Sequence, residues 1–385
     1  MKCLLDNERR SLRQEIRSWV TNNLTTAGHG QWELDSEACR LVNRLGQDGF
    51  MAYIAPRKFG GVRKEVQARD LCIIREALAW GSALADVMFG VQALATYPIV
   101  IAGNEEQKAR YLPSLARGET IPAFAMTEPN AGSDVSSITT RAVRDANGYR
   151  LNGVKHFISN AGIAQSYVVF ASMEPQDRTK NISAFIVDSD SPGFIVKEKT
   201  PLLSPHPLGV LAFEDCFVSQ RQRLGCEGEG LKIALKTLDM LRCSVGAAAV
   251  GLAKRALDEA IAYSRNRRQF GRALAEFQAT QFKLAEMATE LEASRLLVYQ
   301  AAWTNDQHQP EASRKSSMAK LFATEAAQRI VDQSLQIHGG NGVIAGNIME
   351  RLYRDVRALR IYEGTSEIQK LIIARSLLGK PRIED

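Results

Sequence analysis

Five residues near the C-terminus, Ile361-Tyr362-Glu363-Gly364-Thr365, set a single carboxylate between a bulky apolar pair and a glycine. Ser366 with Gln369 three residues on reads as a capping box, and Ile368, Leu371, Ile372 and Leu377 give the helix it opens an apolar side. Glu363 would then stand on a turn before a rigid helix, shielded on one side by Tyr362. Burial disfavours the anion, so its pKa should rise toward the range where it can take a proton from carbon. The competing reading is a solvated loop residue before a capped helix, and the pentapeptide alone does not decide between them.

Four other stretches could hold a ligand. Thr127-Glu128-Pro129-Asn130-Ala131-Gly132-Ser133-Asp134 combines small residues and hydroxyls, so its backbone could come close to a planar or phosphorylated group; a polar turn uses the same residues. In Lys155-His156-Phe157-Ile158-Ser159-Asn160 an aromatic beside Ile and Ser could wall a flat ring, or be ordinary core. Arg267-Arg268-Gln269-Phe270-Gly271, followed by Phe277-Gln278, ends a long helix with cations. They could clamp a diphosphate, or answer only to the helix dipole. The glycines of Gln336-Ile337-His338-Gly339-Gly340-Asn341-Gly342 could end a helix or admit a nucleotide. Asp239 and Arg242, three apart on one helix, have the spacing of an ion pair. No Walker A loop and no G-x-G-x-x-G occurs, which argues against a Rossmann dinucleotide fold.

These segments need elements to carry them. Residues 1–118 read as helices: one opening after Asp6-Asn7, one from about Val66 to Trp80, one from about Val87 to Ala102, and a charged one from Glu105 to Leu115. From Glu119 to about Cys226 short alternating runs and the turn signals Asn147-Gly148 and Asn152-Gly153 predict an antiparallel β domain, barrel or sandwich. From Gly230 the helical period returns, over about 230–265, 276–303, 311–338 and 366–378, as in a bundle.

In 385 residues, 45% are hydrophobic and 24% charged, the balance of a chain with a real core. The net charge of +6 is spread over helices with acidic residues between, which points away from nucleic acid. Cys3, Cys39, Cys72, Cys216, Cys226 and Cys243 show no C-x-x-C spacing, and with five isolated histidines they suggest no metal site. The N-terminal segment has no signal-peptide core and no stretch is expected to span a bilayer, so a reducing cytoplasm with free thiols is the expected compartment.

Taken together, in this order, the motifs resemble the acyl-CoA dehydrogenase family over nearly the whole chain. The resemblance implies an α+β fold with an N-terminal α-helical domain (1–118), a central antiparallel β-barrel domain (119–226) and a C-terminal four-helix bundle (227–385). It implies FAD-dependent α,β-dehydrogenation of an acyl-CoA thioester to the 2-enoyl-CoA. Glu363 would abstract the α-proton and flavin N5 would take the β-hydride. The Glu363 N–H and a ribityl hydroxyl would donate to the thioester carbonyl oxygen.

By the same resemblance Phe124, Met126, Thr127, Gly132 and Ser133 would contact the flavin, with Phe157, Ile158 and Ser159 against its other side. Arg267, Gln269, Phe270, Gln278, Gln336, Gly339 and Gly340 look like residues that reach the FAD of a neighbouring subunit, with Thr365 and Glu367 as further contacts. Substrate would meet Ser133, Asp239, Arg242, Tyr362, Phe89 and Gln92. A shared cofactor implies a homotetramer, and an electron-transfer flavoprotein is the expected acceptor.

One segment departs from the pattern. Thr200-Pro201-Leu202-Leu203-Ser204-Pro205-His206-Pro207-Leu208-Gly209 stands where many relatives carry an Arg-x-Ser-type sequence, and its three prolines must give the loop another shape. His206 is expected at the surface. Asp86, near the expected acyl tail, would suit a polar or cationic acyl group. A dehydrogenase of carrier-protein-bound acyl thioesters, an oxygen-using flavin oxidase and a non-catalytic helical binding module remain alternatives.

Overall fold

The computed structural model describes residues 4–24, 33–173 and 181–379, so the expected free thiol at Cys3 lies outside them. The helices are α1 (Asn7–Asn23), α2 (Leu34–Gln47), α3 (Ala68–Gly81), α4 (Ala83–Ala102), α5 (Glu105–Ala116), α6 (Gly230–Asn266), α7 (Gln278–Asp306), α8 (Ala312–His338), α9 (Ile348–Arg357) and α10 (Ser366–Leu378). The strands are β1 (Pro122–Ala125), β2 (Arg141–Asp145), β3 (Gly148–Ser159), β4 (Ser166–Ser172), β5 (Ile182–Asp188), β6 (Phe194–Lys199), β7 (Leu208–Ser219), β8 (Arg223–Leu224), β9 (Arg268–Gln269) and β10 (Arg272–Ala273). The long expected helices are all present; α2 and α9 are additional.

By contacts the chain divides into two units, and the segment before residue 118 contributes to both. The helical unit takes its described residues from Met1–Gly28, Gln67–Asp86 and Asp239–Asp385. Asp6 caps α1 by accepting the Arg9 N–H at 2.9 Å. Helix α3 buries nearly its whole surface, charged residues included, because α1 and α7 pack on it and supply partners. Its Glu76 accepts from Tyr299 at 2.8 Å and from Arg295 at 3.1 Å, both on α7, and from Arg13 on α1 at 3.3 Å. Gly251 brings α6 against α3 so closely that a Cβ there would stand 2.3 Å from the Glu76 carbonyl oxygen. Around α8 gather α7, α9 and α10.

The second unit takes its residues from His29–Val66 and Val87–Leu238 and carries an eight-stranded sheet ordered β6-β7-β3-β2-β4-β5-β8, with β1 paired to β4. The sheet is mixed, which corrects the expected all-antiparallel pattern: β1 runs parallel to β4, and β2 meets β4 in parallel through Arg141 and Ser172. The expected hairpin at Asn147-Gly148 joins β2 to β3. Asn152-Gly153 is no turn; it sits inside β3 at a register shift against β7. Gly153 has φ 150°, and a Cβ there would lie 2.6 Å from the Thr140 hydroxyl, so the close approach demands glycine and yields a bulge.

Helix α4 corrects the expectation about bilayer-length stretches. Its 20 residues have a mean hydropathy of 1.6, enough by length and composition to cross a membrane, yet 61% of the window is buried inside the protein.

Candidate active site

The turn before α10 is built differently from its sequence pattern. The residue capping the helix is Thr365, whose hydroxyl accepts the Ile368 N–H, while Ser366 donates to Glu325 at 2.6 Å. Gln369 is freed from the expected capping box and reaches back, donating to the carbonyls of Gly364 at 2.8 Å and Glu363 at 3.3 Å. Lys320 of α8, wholly buried, donates to the same Gly364 carbonyl at 2.6 Å. Thus clamped, Glu363 holds φ 52° and Gly364 φ 92°. A left-handed glutamate is strained by about 1–2 kcal/mol, and such strain persists only where surroundings fix it.

The Glu363 residue is half-buried, but its Oε2 is enclosed and has no hydrogen-bond partner among the described residues. Burial raises its pKa above the usual carboxylate value, against the pull of Arg75, Lys320 and Arg242, while Asp86 pushes it further up. Burial likewise lowers Lys320 to about 8, with Glu363 opposing. Three cations and one further carboxylate therefore set the field at one unpaired oxygen.

Arg75 and Lys320 were absent from the sequence-based site. Each is a charge on an apolar helix stretch, Leu71 to Leu78 and Ala319 to Ala323, and that oddity was the available signal. Arg75 grips Asp86 with Nε at 2.8 Å and Nη2 at 3.0 Å and donates to Ser244 at 3.0 Å. The Asp86 carboxylate is thus turned to a buried guanidinium, which corrects its expected service to a cationic acyl group. Tyr362 is half-buried; burial raises its phenol pKa, with Arg75 opposing. Asp239 and Arg242 do form the ion pair their spacing suggests, with Arg242 buried and its Nε lacking a partner among the described residues.

In the sheet unit the motifs at 127–134 and 155–160 are tied together by one buried cation. Lys155 donates to the Met126 carbonyl at 3.0 Å and to Glu128 at 2.8 Å, and the His156 N–H donates to the Thr127 carbonyl at 2.8 Å. Glu128 also accepts the N–H groups of Thr139 at 2.6 Å and Thr140 at 3.0 Å. Burial alone would raise Glu128, but Lys155 and these donors take it down to about 2, while burial brings Lys155 to about 8.

Beside this staple Phe157 adopts φ 55° where β3 slips register against β7, and its ring stands 55% exposed. Thr127 and Ser159 are half-buried, Gly132 and Ser133 exposed, and a Cβ on Gly132 would meet nothing within 4 Å. Met126 and Ile158 bury their side chains, so only their backbones are offered to a ligand; Phe124 packs on Phe170 with centroids 4.9 Å apart. Phe89 is wholly buried, and Gln92 is buried with neither amide atom partnered among the described residues. The expected surface position of His206 is corrected: its ring is half-buried, with Nε2 3.2 Å from the Ser159 hydroxyl.

In the helical unit, the cationic run after α6 forms a hairpin, β9 to β10, with Phe270 and Gly271 at its tip at φ 52° and 79°. Phe270 is 93% exposed, and Arg267, Gln269 and Gln278 are exposed beside it in sequence. Gln336, Gly339, Gly340 and Glu367 are exposed as well, and a Cβ added to either of these glycines would meet nothing within 4 Å.

Family models for the N-terminal, middle and C-terminal domains of acyl-CoA dehydrogenase match residues 6–119, 123–216 and 228–378. An acyl-CoA dehydrogenase of Bacillus subtilis is 39% identical over 96% of this chain and 97% of its own. The caffeyl-CoA reductase–Etf complex subunit CarC of Acetobacterium woodii is 37% identical over 97% of this chain and 99% of its own. The structure of an acyl-CoA dehydrogenase complexed with FAD from Bacillus anthracis superposes with a TM-score of 0.88 at 30% identity, covering 97% of this chain and 67% of that one. The chain belongs to the acyl-CoA dehydrogenase family.

Proposed function

We propose that this chain catalyses the FAD-dependent α,β-dehydrogenation of an acyl-CoA thioester, with Glu363 as the base that removes the α-proton. The observation that carries the reading is the buried, unpartnered Oε2 of Glu363, held on a strained turn amid Arg75, Lys320 and Arg242. An unpaired buried carboxylate oxygen is costly, and its presence is explained if substrate supplies the missing proton.

The α-proton of a thioester is weakly acidic, so the base needs a pKa raised toward the operating pH. Burial raises Glu363, and the surrounding cations keep it ionisable. The clamp from Lys320 and Gln369 fixes where the carboxylate stands, and positioning of this kind is worth several kcal/mol in such reactions. Arg242 and the Glu363 N–H favour negative charge as the enolate develops. Tyr362, Phe89, Gln92, Ser133 and Asp239 remain the proposed substrate contacts; the unpartnered Gln92 amide suits a polar group.

The residues present fit FAD: an exposed aromatic in a strained backbone at Phe157, half-buried hydroxyls at Thr127 and Ser159, and open space at Gly132. FAD bound there supplies the acceptor for the β-hydride. Phe124, Met126, Thr127, Gly132, Ser133, Phe157, Ile158 and Ser159 would hold it within this chain, with Thr365 and Glu367 as further contacts. Arg267, Gln269, Phe270, Gln278, Gln336, Gly339 and Gly340 would serve the FAD of a neighbouring copy, in a homotetramer. The 93% exposure of Phe270 favours this, since a large aromatic at a hairpin tip asks for a cover.

The Etf-complex relative favours an electron-transfer flavoprotein as redox partner. It also favours a second reading, in which the same residues run the reverse step and Glu363 returns a proton to the α-carbon of an enoyl thioester. Free thiols at Cys39, Cys72, Cys216, Cys226 and Cys243 suit a reducing cytoplasm.

Anaerobic mixing of the FAD-loaded protein with acyl-CoA esters tests the base. Wild type should bleach the flavin, and Glu363→Gln should keep FAD while losing at least about a thousandfold in bleaching rate. An undiminished rate in that variant would remove Glu363 from the mechanism.

A further inference from the structure

The proline-rich loop that departs from the family pattern is fastened to the wall carrying Phe157 and Ser159. The Thr200 N–H donates to the Leu208 carbonyl at 2.8 Å, and the Asn160 N–H donates to the Pro207 carbonyl at 2.9 Å. Pro205 and Pro207 restrict the backbone on either side of His206. The ring is held at both nitrogens: Nδ1 lies 3.3 Å from the Ser204 carbonyl oxygen and Nε2 lies 3.2 Å from the Ser159 hydroxyl.

These two contacts fix the direction of the hydrogen bonds. A carbonyl can only accept, so Nδ1 carries the ring hydrogen and, in the neutral ring, Nε2 offers a lone pair. The Ser159 hydroxyl must then donate to Nε2, and toward any other neighbour its oxygen is an acceptor. Protonation of the ring puts a hydrogen on Nε2 as well, which donates to Ser159 and releases the hydroxyl hydrogen to point elsewhere. One proton on His206 therefore turns Ser159 from acceptor to donor.

We propose that His206 is a positioning residue that controls the hydrogen-bond role of Ser159 on the flavin wall, holding it as an acceptor while the ring is neutral. This rests on the reading of Phe157, Ile158 and Ser159 as flavin contacts. A flavin edge gains N–H on reduction, so an acceptor at Ser159 favours the reduced cofactor and a donor favours the oxidised one. Burial pushes the His206 pKa below its ordinary 6.5, with the Ser204 carbonyl opposing, so the acceptor state holds at neutral pH. The other charged or titratable side chains on the adjoining strand segments are Lys155 and His156 on β3 and Lys197, Glu198 and Lys199 on β6. Lys155 is turned to Glu128 and Lys199 pairs with Asp35, and the influences on the His206 ring are its burial and Ser204.

The test compares the FAD-loaded wild type with His206→Gln and His206→Phe in redox titrations across acid to neutral pH. A glutamine can accept from Ser159 through its carbonyl oxygen but takes no proton. The glutamine variant should match wild type at neutral pH. Below the His206 pKa the wild type should shift about five- to tenfold toward the oxidised flavin relative to it, the worth of one ordinary hydrogen bond. The phenylalanine variant should differ from wild type at neutral pH by a similar factor, and Ser159→Ala should erase all of these differences. A wild-type-to-glutamine difference that stays constant with pH, in proteins that hold FAD, overturns the switch and leaves the function standing. A wild type that stays colourless with added FAD overturns both.

Discussion

The Lys320 ammonium stands 2.6 Å from the carbonyl oxygen of Gly364, the residue that follows the proposed base. A buried cation on a rigid helix thereby both braces the turn and lies in the field of the Glu363 carboxylate. Removing its charge leaves Glu363 with one fewer cation, so its already raised pKa must rise again. For Lys320→Met the acid limb of the flavin-bleaching rate should move to higher pH, with the plateau reached later. Rates measured with one thioester over a pH series check this; an unmoved limb would mean the lysine acts on the backbone only.

Arg75 and Asp86 form a buried pair with two hydrogen bonds, and breaking such a pair from one side leaves a naked charge. Arg75→Leu should cost roughly 3–5 kcal/mol of stability in denaturant melts, whereas Arg75→Leu combined with Asp86→Leu should recover most of it. Losing Arg75 alone should also raise the Glu363 limb, since Arg75 is the strongest of its three cations. If the double variant is as unstable as the single one, the pair matters through packing and not charge.

Glu128 titrates near 2 in the folded chain against an ordinary 4.5, so the folded state binds fewer protons in that window. Its stabilising share is whole above about pH 4.5 and disappears as pH falls toward 2. Wild type should therefore lose stability through that window more steeply than Glu128→Gln, which starts lower at neutral pH because Lys155 is left unpaired. Thermal melts of both proteins across the acid range check it, and parallel curves would count against the buried pair.

Much of the fold could be read from local pattern. Helical spacing places α1, α3, α5 to α8 and α10 to within a few residues, because a side chain's face on a helix follows from its position in the chain. The hairpin at Asn147-Gly148 follows from turn chemistry. Asn152-Gly153 has the same letters, yet becomes a bulge because Thr140, just ahead of β2, leaves no room for a Cβ, and no local rule contains that neighbour.

The site divides in the same way. Sequence by itself determined that a glutamate stands on a glycine turn ahead of a helix, and which motifs travel with it. The tertiary structure alone decided that Arg75, Asp86, Arg242 and Lys320, from three distant parts of the chain, set its charge, and that His206 bonds to Ser159. The reason is that turn geometry and helical period act over a few neighbouring residues. Desolvation and Coulomb attraction act through space between groups the chain brings together only on folding.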